Sequence, residues 1–319
     1  MFLAPDGDEI EITNAAADFM ANAMPIARLH GPGSADMNAA QRRALAALGL
    51  FALTLPEDQE GSGLGAVEHA LFFREAGRQS APVDVLTQAL ATMTAADAGL
   101  RAAVAAGEAG VALLAGERLL GAPDAAYALD VSREEAKLFS LENVITCERP
   151  ALAPASSMRV LESPLEAVVA SAGAQVWNMG ELGAAAMLLG LAEAALDLIV
   201  DYAKIRETFG RKIGAYQAVR HPCADMALRA EAARCQLWFA AAAMKEGRQD
   251  AAMHLDAAKH LCNQAALANA DTNIQLHGGI GVTDEHNAHL LLKQALLLGK
   301  LFGTKRDLLG RLVNVEVIG

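Results

Sequence analysis

The densest run of chemistry-bearing residues is Asp201-Tyr-Ala-Lys-Ile-Arg-Glu-Thr-Phe-Gly-Arg-Lys-Ile-Gly-Ala-Tyr-Gln217. The Arg206 fork can hold two phosphate oxygens at once. Phe209 can pack against a flat ring. Gly210 and Gly214 allow a sharp turn between two helices. The Gln217 amide offers a heterocycle one donor and one acceptor. Together they suit a dinucleotide lying across a helix–turn–helix corner. The same residues also describe an ordinary helix C-terminus, with Arg near the last carbonyls and a Gly turn beyond. A second constellation is Gln275-Leu-His-Gly278-Gly279-Ile-Gly281. Its Gly pair lets a ligand approach the backbone, and its amides can hold an anion. Taken alone, a plain helix cap and turn is the simpler explanation.

Other reactive groups give less. His286-x-x-His289, with Glu285, places imidazoles on one side of a helix, but no Cys or further carboxylate cluster joins them, so no metal site is expected. No G-x-S-x-G elbow supports Ser-His-Asp chemistry. Cys147, Cys223, Cys235 and Cys262 are far apart, which fits a reduced, cytoplasmic setting with thiols as small core residues.

These groups must be positioned by a chain of 319 residues, long enough for two or three domains. Hydrophobic residues make up 53% and aromatics 4%; Ala and Leu dominate, which favours helix. A net charge of −12 argues against nucleic acid as partner, though local Arg and Lys can still hold a small anion. The start, Met1 to Asp8, lacks the basic region and long apolar run of a secretory leader. The stretch Leu182 to Val200 carries Glu193 and Asp197 and reads as a buried helix too short and too charged to be a membrane span.

Composition separates three segments. Residues 1–103 read as a helical domain. Residues 104–176 hold short apolar runs spaced by Pro, Gly, Asp and Ser, the pattern of a small β domain. Five such runs begin at Val111, Tyr127, Lys137, Ser157 and Ala167. Residues 177–319 read as a four-helix bundle. The pattern predicts helices over 178–205, from Gln217 to Gly247 with Pro222 in the first turn, from Ala251 to Gln275, and a fourth capped by Thr283 that continues to Leu309. The fold class is thus mainly α with a small β domain: an N-terminal helical domain, a middle β domain and a C-terminal four-helix bundle.

In that order, and in its motifs, the chain resembles the acyl-CoA dehydrogenase family. The family carries an Arg-x-x-Phe-Gly corner, a Gln about eleven residues after the Arg, and a Gln-x-x-Gly-Gly turn one helix later. All three are present, and Lys259 matches as well. Leu50-Phe-Ala-Leu-Thr-Leu-Pro-Glu57 with Gly61-Ser-Gly-Leu-Gly65 resembles the first-domain loop. The segment Gly279-Ile-Gly-Val-Thr-Asp-Glu285-His286 is similar to shorter bacterial members, including those acting on steroid side chains. The resemblance covers residues 40–103 and 177–310. It implies FAD as cofactor, with Arg206, Phe209 and Gln217 contacting the flavin nucleotide of a neighbouring subunit. Gln275, Gly278 and Gly279 would meet its adenosine end. It further implies α,β-dehydrogenation of an acyl-CoA thioester, transfer of electrons to an electron-transfer flavoprotein, and a homo- or hetero-oligomer, a dimer of dimers.

Two family features are missing. The β segment lacks the Thr-Glu-Pro…Gly-Ser-Asp and Trp-Ile-Thr-like stretches that cover the isoalloxazine. The Tyr-Glu-Gly-Thr loop with the usual catalytic Glu is replaced by Gly303-Thr-Lys-Arg-Asp-Leu-Leu-Gly310. Some members place the base near the start of the first bundle helix, and Glu181 lies there. Burial would raise its pKa and suit it to take an α-proton. Asn178-x-x-Glu181 is also a capping-box pattern. The losses suggest the degenerate partner of a hetero-oligomer. A non-catalytic helical scaffold that keeps the fold for assembly is the alternative.

Overall fold

The computed structural model describes residues 7–31 and 36–314. Residues 1–6, on which the expectation of no leader rests, lie outside the described residues. The chain is 61% helical. Five helices come first: α1 (Gly7–Ala23), α2 (Ala39–Ala47), α3 (Ala66–Arg78), α4 (Val83–Thr94) and α5 (Ala98–Ala105). Their starts are written locally. Asn38 and Gln41 form a reciprocal capping box on α2. The Glu68 carboxylate accepts from Gly65 N at 2.8 Å on α3, and Asp97 accepts from Leu100 N at 2.8 Å on α5.

A seven-stranded sheet follows: β1 (Val111–Ala115), β2 (Arg118–Leu120), β3 (Tyr127–Val131), β4 (Glu135–Ser140), β5 (Thr146–Arg149), β6 (Met158–Leu161) and β7 (Val168–Gly173). The order is β5-β6-β2-β1-β3-β4-β7. Neighbours are antiparallel except β1 and β3, which are parallel with Leu113 opposite Leu129. The five apolar runs become β1, β3, β4, β6 and β7. The short β2 and β5 carry too few apolar residues to stand out. One face, with Val111, Leu113, Leu129 and Leu138, joins the main core; the other makes a small core of its own around Ala112, Leu119 and Ala128. Buried Gln88 of α4 ties the helices to the sheet: its amide donates to Val104 O and Ala109 O and accepts from Val111 N.

The bundle comprises α6 (Gln175–Ile205), α7 (Gln217–Lys245), α8 (Ala251–His277), α9 (Ala288–Leu298) and α10 (Lys305–Val313). By length and composition α6 could cross a membrane, with mean hydropathy 1.8 in its most apolar window, contrary to the expectation that this stretch is too short and too charged. That window is 72% buried inside the fold, so α6 serves as the core helix. Three helices meet at Asn269, whose amide donates to Ala192 O of α6 and Met226 O of α7.

Two other helix expectations are corrected. The fourth helix is broken in two. Phe302 and Gly303 both take positive φ (53° and 105°), which ends any helix, and Thr304 with Asp307 caps a fresh start for α10. Thr283 caps nothing there; its hydroxyl donates back to Ile280 O at 2.9 Å. Pro222 is the sixth residue of α7 and lies inside the helix, beyond the first turn.

Candidate functional site

The corner between α6 and α7 is a miniature hairpin, β8 (Glu207–Thr208) against β9 (Arg211–Lys212). Two residues make the turn, Phe209 at φ 50° and Gly210 at φ 77°. Both angles match the primed hairpin turns. Gly takes such a φ freely, whereas a bulky aromatic does so only under strain. The residue that bears this backbone strain is also 98% exposed, so packing on the described residues does not repay it. The hairpin is braced on each side. Lys212 pairs with Glu207 at 2.7 Å, Tyr216 Oη donates to Thr208 O at 2.9 Å, and the Arg211 guanidinium lies 3.9 Å over the Tyr216 ring. Glycine spacing predicted a reversal at this corner; it gave no sign of strands, because Phe is a poor residue for a primed turn.

Arg206 is the residue after the last turn of α6, and Gln217 is the first of α7; both side chains are exposed. The nearby acids Asp201 and Glu207 are taken by Lys204 and Lys212. Below the corner an open cavity of about 410 Å³ has Val200, Ala203, Val219 and Cys223 in its lining, with Lys204 and Arg220 exposed beside it.

The second constellation closes α8. Gln275 is exposed, and Gly278 has φ 67° and ψ −144°, a conformation reserved for glycine. A Cβ at Gly278 or Gly279 would meet nothing within 4 Å, so this backbone is open to a ligand. Just before it, His277 is buried. Its Nδ1 lies 2.8 Å from Asn273 O, and its Nε2 has no hydrogen-bond partner among the described residues. Its ring packs 4.5 Å from that of Tyr202 and 4.3 Å from that of His286. Because Tyr202 stands one turn before Arg206, the two constellations share one end of the bundle. His286 therefore belongs to this ring stack. Among the described residues no group of three or more His, Cys, Asp or Glu is set to hold a metal.

Residues of this end fit a dinucleotide. An exposed guanidinium, an exposed ring in a strained turn, two exposed amides and an open glycine pair are left unused by packing among the described residues.

Glu181 lies apart from this end. The helix begins at Gln175, so Glu181 is its seventh residue and cannot cap it. It is 1% exposed. Its Oε2 accepts from Trp177 Nε1 at 2.8 Å, one turn back. Its Oε1 sits 3.5 Å from Arg311 Nη2 of α10. Arg311 in turn clamps Asp256 of α8, with Nε 2.9 Å from both carboxylate oxygens. Arg133, from the β3–β4 turn, approaches Asp256 at 3.6 Å. Lys259, fully buried one turn along α8, donates to Leu298 O at 3.0 Å. Burial, and then the neighbouring Asp256, push the Glu181 carboxyl up to about 8. Burial pulls the Lys259 amine down to about 8. Asp256, Arg311, Arg133 and Trp177 escaped the sequence reading. Asp256 and Lys259, a charged pair three apart on the buried face of α8, were the available signal.

Comparisons with known proteins agree with this architecture. Residues 6–107 match the family model of the acyl-CoA dehydrogenase N-terminal domain, and residues 171–311 that of the C-terminal domain. The chain is 35% identical over 310 residues to acyl-CoA dehydrogenase FadE34 of Mycobacterium tuberculosis, covering 90% of this chain but 43% of that protein. It therefore spans less than half the length of that relative. It is 30% identical over 273 residues to acyl-CoA dehydrogenase IpdE2 of the same organism, covering 83% of this chain and 82% of IpdE2. Among solved structures, the Tcur3481-Tcur3483 steroid ACAD superposes with a TM-score of 0.81 at 23% identity, over 96% of this chain and 97% of that one. This chain belongs to the acyl-CoA dehydrogenase family.

Proposed function

We propose that the chain is a subunit of an acyl-CoA dehydrogenase complex, and that Arg206, Phe209, Gln217, Gln275, Gly278 and Gly279 hold a FAD shared with a neighbouring chain. The observation that carries this is Phe209, whose backbone takes φ 50° in the turn and whose side chain is almost fully exposed rather than packed on the described residues. Beside it, Arg206 offers a fork for phosphate and Gln217 a paired donor and acceptor. The reaction is α,β-dehydrogenation of an acyl-CoA thioester. FAD, when bound, supplies the acceptor for the β-hydride, and an electron-transfer flavoprotein drains it. Glu181 is this chain's candidate for the α-proton.

The partner in this reading is a second, fuller chain that supplies the isoalloxazine half, in a dimer of dimers. The paired name of that steroid ACAD supports a hetero-oligomer; a cytoplasmic setting and a part in lipid or steroid catabolism belong to the same proposal. The visible spectrum near the flavin band tests this. The chain alone should be colourless, and co-expression with a related chain should give a yellow complex. Arg206→Ala should then remove the flavin and leave the oligomer. A yellow, active homo-oligomer would overturn the hetero-oligomer. No effect of Arg206→Ala on flavin in any complex would support the scaffold reading.

A further inference from the structure

The Glu181 carboxyl is poorly served as an anion. Among the described residues its one firm donor is the neutral indole of Trp177. The guanidinium of Arg311 is committed to Asp256 and stands 3.5 Å away, leaving Glu181 Oε1 buried without a hydrogen bond. The other cation of α8, Lys259, is turned to Leu298 O, and Arg133 from the β domain faces Asp256. From α3, His69 packs on the same turn of α6 but donates to Met179 O. On α10, Asp307 adds a further negative charge near Arg311. A buried carboxylate with half its lone pairs unserved is costly, and a second carboxylate beside it adds repulsion. A proton on Oε1 removes both penalties, because the acid becomes a donor and Asp256 is the neighbouring acceptor.

We propose that Glu181 keeps its proton at neutral pH, and that the Asp256–Arg311 pair is what holds it there. Asp256 and Arg311 are then positioning residues, drawn from α8 and α10, that act through Glu181. As it stands Glu181 is a buried hydrogen-bond donor; removing an α-proton requires that it first lose its own. This deepens the reading of Glu181 above but does not rest on the flavin site, which lies at another part of the bundle.

Trp177 reports on that proton, since its indole is bonded to the carboxyl. The chain has two tryptophans, so Trp238→Phe leaves Trp177 as the only indole, excited at a wavelength where the three tyrosines do not absorb. Its fluorescence should change in one step near pH 8, and Glu181→Gln should abolish the step. Asp256→Asn should move the step down by roughly one to three pH units, because Arg311 is then free to pair with an ionised Glu181. A step at the ordinary carboxylate position would overturn the proposal, as would one that Asp256→Asn leaves in place. If Asp256→Asn does not fold, thermal unfolding of Glu181→Gln decides. Gln mimics the neutral acid, so the variant should melt above the parent at pH 7 and the gap should close toward pH 4.5. A variant that melts below the parent at pH 7 would mean an ionised, paired Glu181. Flavin content of the complex stays unchanged in either case, which separates this test from that of the nucleotide site.

Discussion

The ring of Tyr202 lies 4.5 Å from that of His277, tilted by 33°. This contact joins the last turn of α6 to the last turn of α8. Arg206 and the Gly278–Gly279 backbone are thereby held in one frame, although Arg206 and Gly278 are 72 positions apart in the chain.

Tyr202→Leu keeps an apolar side chain and removes the ring contact. Aromatic pairs are worth about 0.5–1.5 kcal/mol beyond their buried area. The variant should lose stability on that scale in urea titration. It should also lose flavin from the complex more than its stability loss explains, because the two halves of the site are no longer in register.

Phe209→Gly separates strain from function. Glycine relieves the positive φ, which costs a non-glycine residue about 1–2 kcal/mol, and no packing is lost at a ring that is 98% exposed. The isolated chain should become slightly more stable by thermal melt. The complex should bind flavin more weakly, measured as absorbance per protomer.

Gly190→Ala should be damaging. A Cβ there overlaps the Arg74 carbonyl of α3, and one at Gly77 overlaps the Met187 carbonyl of α6, so the two helices touch backbone to backbone. Overpacking of this kind costs about 1–3 kcal/mol. Gly310→Ala is the control. Nothing lies within 4 Å of its Cβ position in α10, and helix propensity predicts a gain of up to about 1 kcal/mol. Equal losses at both glycines in chemical denaturation would refute the crossing.

His69 gives an acid limb to the stability profile. Burial pulls its imidazole down to about 4, against a backbone hydrogen bond to Met179 O that pulls the other way. Between pH 6.5 and 4 the unfolded chain takes a proton that the folded chain refuses. Stability therefore falls as pH falls through that window, by on the order of 3 kcal/mol. His69→Gln should flatten this limb. The Glu181 contribution has the opposite sign, since its folded pKa is raised. It weakens as pH rises from about 4.5 to 8.

The bundle helices were legible because their apolar residues recur in steps of three and four over long stretches, and α6, α7 and α8 start and stop close to the expected positions. The fold class followed from the order of helical and alternating segments. Breaks set by one or two backbone angles were not legible. Phe302 and Gly303 divide the fourth helix through positive φ, and a Phe gives no warning of that. The candidate corner between α6 and α7 was visible as residue types. That Phe209 is strained and outward could be seen only in three dimensions. The charges around Glu181 were hidden for another reason. Asp256 and Arg311 are 55 positions apart, and Arg133 comes from the turn between β3 and β4, so no local spacing connects them.

The apolar length of α6 has a consequence for how the chain is made. Its main partner is α8, which is complete only 72 residues after Ile205. At ordinary translation rates of about 5–20 residues per second, that is a wait of roughly 4–14 s. For that interval the nascent chain presents a helix as greasy as a membrane span with its chief binding face uncovered. The expected occupant of that face during synthesis is a chaperone, and slowing elongation within α7 should raise aggregation of the newborn chain more than slowing it within the sheet.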